Sequence, residues 1–213
     1  HGHESVLTPF RNGEADILIG TQMIVKGHDF PNVTLVAALA ADMSLYAGDY
    51  RSSERTFELL MQASGRAGRA EKAGEVVIQT YNPEEYSIQA VAGQDAEYFY
   101  ENELAFRRLM KYPPYSQMAA ILILSEEENE AKILSEKLAE NIHSVCGDAV
   151  TLIGPSKAGL SRAKDRYRYV LYVKSMDEEA MACVREIAEE ANRRVVNQKT
   201  CSVQYDRDPV NGY

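Results

Sequence analysis

The run Gln62-Ala63-Ser64-Gly65-Arg66-Ala67-Gly68-Arg69 combines two guanidiniums, an amide and two glycines. On a helix, Gln62, Arg66 and Arg69 fall at i, i+4 and i+7 and project from one face. Gly65 and Gly68 lack a Cβ, so another backbone or a phosphate can come close. Arginine presents a fixed fork of donors that matches phosphate oxygens, so this face suits a polyphosphate. The plainer alternative is a solvated basic helix end. Against it stands the cost of two glycines inside a helix, roughly 1 kcal/mol each relative to alanine.

A second group lies upstream. Asp16–Gly20 (DILIG) is read as a short buried strand, and Thr21-Gln22-Met23-Ile24-Val25-Lys26-Gly27-His28-Asp29-Phe30-Pro31 follows it directly. Ligands of open α/β sheets sit outside the carboxyl ends of the strands. A hydroxyl at Thr21, an amide at Gln22, a cation at Lys26 and a carboxylate at Asp29 would all stand at that edge. A third group is cationic: Lys157, Arg162, Lys164, Arg166 and Arg168 are opposed only by Asp165, with Tyr167 and Tyr169 interleaved. Basic groups can track phosphates while aromatic rings stack on unpaired bases. The alternative is a solvated hairpin whose tyrosines point into a sheet, and Tyr167, Tyr169 and Val170 cannot all face one side of a strand. His28 would line the cleft or serve the fold.

The elements that must position these groups fall into two parts. Residues 1–112 read as α/β: a helix over Glu4–Arg11, strands over Asp16–Gly20, Val33–Leu39 and Glu75–Thr80, and a helix over 52–65. Helices at Tyr86–Val91 and Ala96–Lys111 follow, the second with Phe99, Leu104, Phe106 and Leu109 as an apolar packing side. The tandem prolines of Lys111-Tyr112-Pro113-Pro114-Tyr115 mark a linker. Residues 113–213 then read β-α-β-β-α-β, the split-βαβ order. Strands are expected at Met118–Leu124, at Val150–Ile153 ending on Gly154-Pro155, at Tyr167–Lys174 and at Thr200–Tyr205. Helices are expected at Glu127–Cys146, with Ile133, Leu134, Leu138 and Ile142 inward, and at Asp177–Val195.

The first two motifs resemble motifs V (DILIGTQMIVKGHDFP) and VI (QASGRAGR) of the superfamily 2 helicases. The wording, with KYPPY and GPSKAGLSRAKDRYRYVLYVK further on, is similar to the bacterial primosomal replication-restart helicases over nearly the whole chain. The resemblance implies a partial RecA-like lobe 2 with a parallel sheet, then a smaller α+β domain of the kind seen in a small ribosomal-subunit protein. It implies an ATP-dependent 3′→5′ DNA helicase. Arg69 would be the arginine finger, Arg66 would meet the γ-phosphate region and Gln62 would couple the nucleotide to the lobe interface. Gly27 and Asp29 would lie on the nucleotide side, Asp29 near the ribose; Thr21, Gln22 and Lys26 would lie on the DNA side. The hairpin residues Arg162, Lys164, Arg166, Tyr167 and Arg168 would add DNA contact. ATP and Mg²⁺ are the implied cofactors of the parent. Its zinc site lies upstream of motif V, and here Cys146, Cys183 and Cys201 form no CxxC pair. Implied partners are forked and single-stranded DNA, single-stranded-DNA-binding protein, other primosome proteins and the replicative helicase loader. The implied location is cytoplasmic and nucleoid-associated, with no membrane partner.

The sequence contains neither a GxxxxGK[ST] phosphate loop nor a DExH box, which this family carries in its first lobe. The chain therefore reads as a C-terminal fragment, inactive by itself as an ATPase. A non-catalytic DNA- or partner-binding module is the second reading, and a related fork-remodelling translocase the third. A formal charge of −9 excludes a wholly basic DNA-binding surface, so any nucleic-acid contact must be local. Hydrophobic residues make up 45% of the chain, enough for a core, and isolated cysteines give no disulfide framework.

Overall fold

In a computed structural model, residues 2–21, 30, 32–46, 48–65, 74–195 and 200–210 are described. Contacts divide the chain into two compact units, His1–Glu103 and Leu104–Tyr213.

In the first unit, α1 (Gly2–Arg11) precedes β1 (Leu35–Ala38), α2 (Asp42–Leu45), α3 (Ser52–Ser64), β2 (Glu75–Ile78), α4 (Tyr86–Gly93) and α5 (Ala96–Met110). β1 and β2 are parallel, with Leu35 opposite Glu75 and Ala38 opposite Ile78. Parallel strands need a long crossover between them, and α3 lies within it. The core forms where α3, α4 and α5 meet, around Phe57, Leu60, Ile88, Val91 and Phe99. Phe57 and Phe99 stack face to face with centroids 4.1 Å apart. At the start of α4 the Glu85 carboxylate caps the amides of Ser87 and Ile88.

Two expectations fail in this unit. Asp16–Gly20 is not a strand: it is irregular, with Ile17 and Ile19 exposed. A strand exists only where a neighbour completes its ladder, and among the described residues β1 and β2 pair with each other alone. The apolar run supplied propensity without a partner. In α5 the buried stripe is Phe99, Glu103 and Arg107, whereas Leu104, Phe106 and Leu109 are exposed, Leu109 by 79%. Glu103 turns inward because its carboxylate accepts the Tyr86 hydroxyl at 2.6 Å. In the second unit the Arg107 guanidinium donates to the Pro113 carbonyl at 3.4 Å.

The second unit continues with β3 (Gln117–Ser125), α6 (Glu128–Cys146), β4 (Thr151–Ala163), β5 (Arg166–Ser175), α7 (Glu178–Arg194) and β6 (Cys201–Arg207). The sheet order is β4-β5-β3-β6, with every neighbouring pair antiparallel. Alternate residues of the strands send Ile121, Ile123, Tyr169, Leu171, Val173 and Val203 into one core with α6 and α7. In α6 the stripe Ala131, Ser135, Leu138 and Ile142 is buried. Ile133, expected inward, is 45% exposed because it sits about 140° or more around the helix from each residue of that stripe. The opposite face of the sheet buries Ala120, Leu122, Ala158 and Val170.

Strand β4 does not stop at Gly154-Pro155 as expected but runs to Ala163, with register shifts after Ile153 and after Lys157. Gly154 carries it through a backbone with φ +98°, where a Cβ would meet the Val170 carbonyl oxygen at 3.0 Å. On β5, the Lys174 ammonium donates to the Met110 carbonyl at 2.9 Å and lies 4.0 Å from the centre of the Tyr112 ring. Burial pushes the pKa of Lys174 down, with Lys111 adding to the effect.

Candidate nucleotide and nucleic-acid interfaces

At the carboxyl end of the parallel pair, a buried carboxylate organises two loops. Asp42, at the start of α2, accepts the Thr80 hydroxyl at 2.5 Å, the Tyr81 amide at 2.8 Å and the Asn82 amide at 3.3 Å. The Thr80 hydrogen bond, followed by the backbone amide of Tyr81, holds the Asp42 carboxyl below the usual carboxylate value. Asp42 thus ties the loop after β1 to the loop after β2. Ala40, just before it, adopts φ 50°, a left-handed conformation that costs a non-glycine residue energy. Nothing in the local sequence announces this tie, because the partners lie 38–40 positions away.

The start of α3 is set the same way. The Asp49 carboxylate accepts the Arg51 amide at 3.0 Å and pairs with Arg55 at 2.7 Å, and Ser52 Oγ donates to the Asp49 carbonyl at 2.6 Å. With Phe57, Leu60 and Ala63 committed to the core, Gln62 is left on the exposed side of the last turn. The helix ends at Ser64, where the Gly65 amide still bonds to the Met61 carbonyl at 3.0 Å. Thr21 is exposed at the end of the irregular 14–21 segment. Gln22, Lys26, Gly27, His28, Asp29, Arg66 and Arg69 lie outside the described residues. Among the expected nucleotide and motif V residues, only Gln62 and Thr21 are therefore placed.

The second interface is the β4–β5 hairpin, which gathers Arg162, Lys164, Arg166, Tyr167 and Arg168 on one arm. Arg162 is the cross-strand partner of Tyr167, and its guanidinium carbon stands 5.2 Å from the ring centre. The same guanidinium pairs with Asp165 at 3.4 Å. Arg168 donates to the Leu160 carbonyl at 3.1 Å across the bulge. Lys157 pairs with Glu128 at 2.5 Å, and this hydrogen bond raises its pKa. Strand alternation puts Arg162 and Tyr167 on one face of the arm and Arg166 and Arg168 on the other. The cations form a collar around the arm instead of a single flat patch. Tyr169, expected to interleave with them, is buried in the core on the helix side.

Two of the three cysteines, far apart in sequence, come together in space. Cys146 ends α6 and its thiol hydrogen-bonds with Cys183 on α7; burial first, then this neighbour, pushes its pKa up to about 11. A pair of thiols falls short of the four ligands of a structural zinc site. Among the described residues no group of three histidines, cysteines or carboxylates is placed to hold a metal ion.

These two units match known families in series. Residues 1–71 match the helicase conserved C-terminal domain, a RecA-like lobe, and residues 108–210 match the primosomal protein N C-terminal domain. The class defined is therefore a helicase lobe followed by a primosomal domain. The chain is 46% identical over 207 residues, 97% of its length, to the replication restart protein PriA of Bacillus subtilis. It is 42% identical to that of Synechocystis over 81% of the chain, and 33% identical to that of Chlamydia trachomatis over 98%. It covers 26%, 21% and 27% of those relatives, about a quarter of their length. The chain belongs to the PriA family of replication restart proteins and corresponds to a C-terminal part of it.

Proposed function

We propose that this chain supplies the second RecA-like lobe and the C-terminal domain of an ATP-dependent 3′→5′ DNA helicase that recognises abandoned forks and restarts replication through primosome assembly. The observation that carries this reading is the serial order of the two matched domains, with 46% identity to one restart protein across 97% of the chain. That these relatives are replication restart proteins favours restart over a fork-remodelling translocase.

In such a motor, ATP is hydrolysed between two lobes, and catalysis is chiefly positioning and electrostatic stabilisation of the transferring phosphoryl group. Arg69 would supply the guanidinium that meets the charge developing there, and Arg66 would hold the γ-phosphate region. Gln62 stands exposed at the end of the helix that leads to them and would couple the nucleotide to the lobe interface. Gly27 and Asp29 would border the nucleotide, and Thr21, Gln22 and Lys26 the DNA backbone. Mg²⁺, when bound, neutralises phosphate charge. Single-stranded-DNA-binding protein, the other primosome proteins and the loader of the replicative helicase are the partners this role requires, in a cytoplasmic, nucleoid-associated setting. A longer protein containing this chain should unwind a forked duplex with ATP, moving 3′→5′ on the strand it tracks. Failure to unwind, or the opposite direction, contradicts the reading.

The hairpin favours a second, compatible role for this chain, that of a DNA-binding module. Replacing Arg162, Lys164, Arg166 and Arg168 with alanine in the full chain should weaken single-stranded DNA binding by a similar factor on every sequence. The salt slope should flatten by about 0.7 per lost phosphate contact. Residues 113–213 carry 13 basic and 16 acidic side chains, a net −3, so affinity without this collar should be low. An unchanged affinity and slope would remove the hairpin as a DNA contact.

A further inference from the structure

The tip of the β4–β5 arm is a two-residue turn, Lys164-Asp165, with φ of 51° and 59°. Turns of this kind are served at least cost by Asn-Gly or Asp-Gly, because both central residues must be left-handed. Lysine gains nothing local from that conformation, and aspartate at the second position stands where glycine is preferred. Strain retained at an exposed tip directs attention to what its side chains do.

The Asp165 side chain, 95% exposed, reaches back across the turn to the Arg162 guanidinium at 3.4 Å, and Arg162 is itself 57% exposed. From its other side, Arg162 is steadied by the Tyr167 ring, with its guanidinium carbon 5.2 Å from the ring centre. Asp165 is the one carboxylate among the five cations from Lys157 to Arg168. It sits where an incoming anion with the same oxygen geometry would sit on that guanidinium.

We propose that Asp165 is an internal counter-anion that occupies the Arg162 guanidinium until a nucleic-acid phosphate displaces it. The proposal rests on the reading of the hairpin as a DNA contact, and it names that contact's occupant and its competitor. The Tyr167 ring holds the guanidinium in place while the anions exchange, so the site stays formed in both states. An exposed pair of this type is weak enough to be exchanged, and its competition can shift affinity by only a few fold.

The test is titration of the full chain with a fluorescent single-stranded oligonucleotide at two salt concentrations. Asp165→Asn removes the charge and keeps a residue that tolerates the left-handed turn, and Asp165→Gly removes the side chain altogether. Both should tighten binding about two- to fivefold at low salt. The gain should shrink at the higher salt, where the Asp165–Arg162 pair of the wild type is already screened. In an Arg162→Ala background the same substitutions should add nothing. Wild-type affinity in Asp165→Asn and Asp165→Gly, with weakened binding in the fourfold alanine variant, overturns the proposal and leaves the hairpin reading standing. An equal gain in the Arg162→Ala background also overturns it, since the effect would then be a general field. A fourfold alanine variant that binds like wild type overturns the hairpin reading itself.

Discussion

Asp42 shows how a single buried carboxylate can order a sheet edge. Its two oxygens accept one hydroxyl and two amides from the loop after β2. Asp42→Asn forces an amide donor against donors that point at it, so an unmatched buried polar group remains. The variant should unfold several degrees earlier by calorimetry, in the transition of the first unit only. The sign of the pH dependence follows from the lowered pKa. The stabilisation is complete above the unfolded value near 3.8 and is lost as pH falls through the lower folded value. Asp42→Asn should therefore remove part of the acid-side fall in stability; an unchanged acid profile would show that the carboxylate does not carry it. At this scale the sequence was legible by residue type only. Of the residues expected at the nucleotide and motif V sites, Gln62 and Thr21 are placed on the exposed surface, while the guanidiniums of Arg66 and Arg69 lie outside the described residues. Asp42 announces nothing, because its meaning depends on partners brought from β2. Tyr167 and Tyr169 look alike in sequence, yet one meets Arg162 on the arm and the other is core.

Periodicity made most elements legible, and failures came where a partner decides the outcome. The helices over 52–64, 86–93, 128–146 and 178–194 follow from their apolar spacing, and the split-βαβ order from alternating runs. Asp16–Gly20 has a strand's composition without a ladder to join. Strand β4 passes Gly154-Pro155 because β5 remains alongside it and glycine permits the backbone that the pairing needs. On α5 Phe99 packs as expected, but Leu104, Phe106 and Leu109 are exposed, since hydropathy cannot foresee that Glu103 finds the Tyr86 hydroxyl and Arg107 the Pro113 carbonyl. In α6 the distinction between Leu138 and Ile133 can be measured. Leu138 is 3% exposed, and Leu138→Ala should cost about 2–5 kcal/mol in urea unfolding of the second unit. Ile133→Ala, at 45% exposure, should cost well under about 1 kcal/mol. Equal costs would mean that α6 packs on a different face.

The whole molecule pairs an acidic chain, −9 overall, with a local cationic arm on its second unit. Among the described residues no helix is long and apolar enough to cross a membrane. Two matched domains in series, 1–71 and 108–210, place the chain in the restart-protein family. In the proposed motor, Arg69 would complete an ATP site whose phosphate loop belongs to another lobe. The decisive measurement is single-stranded-DNA-stimulated ATP hydrolysis by this chain alone, by a longer protein that contains it, and by that longer protein carrying Arg69→Ala or Arg69→Lys. The account predicts no turnover by the chain alone and robust turnover by the longer protein. It predicts a loss of up to about 10³-fold in both variants with DNA binding near normal, since a lysine point charge does not replace the guanidinium fork. Turnover by the chain alone, or wild-type turnover by Arg69→Ala, would contradict it.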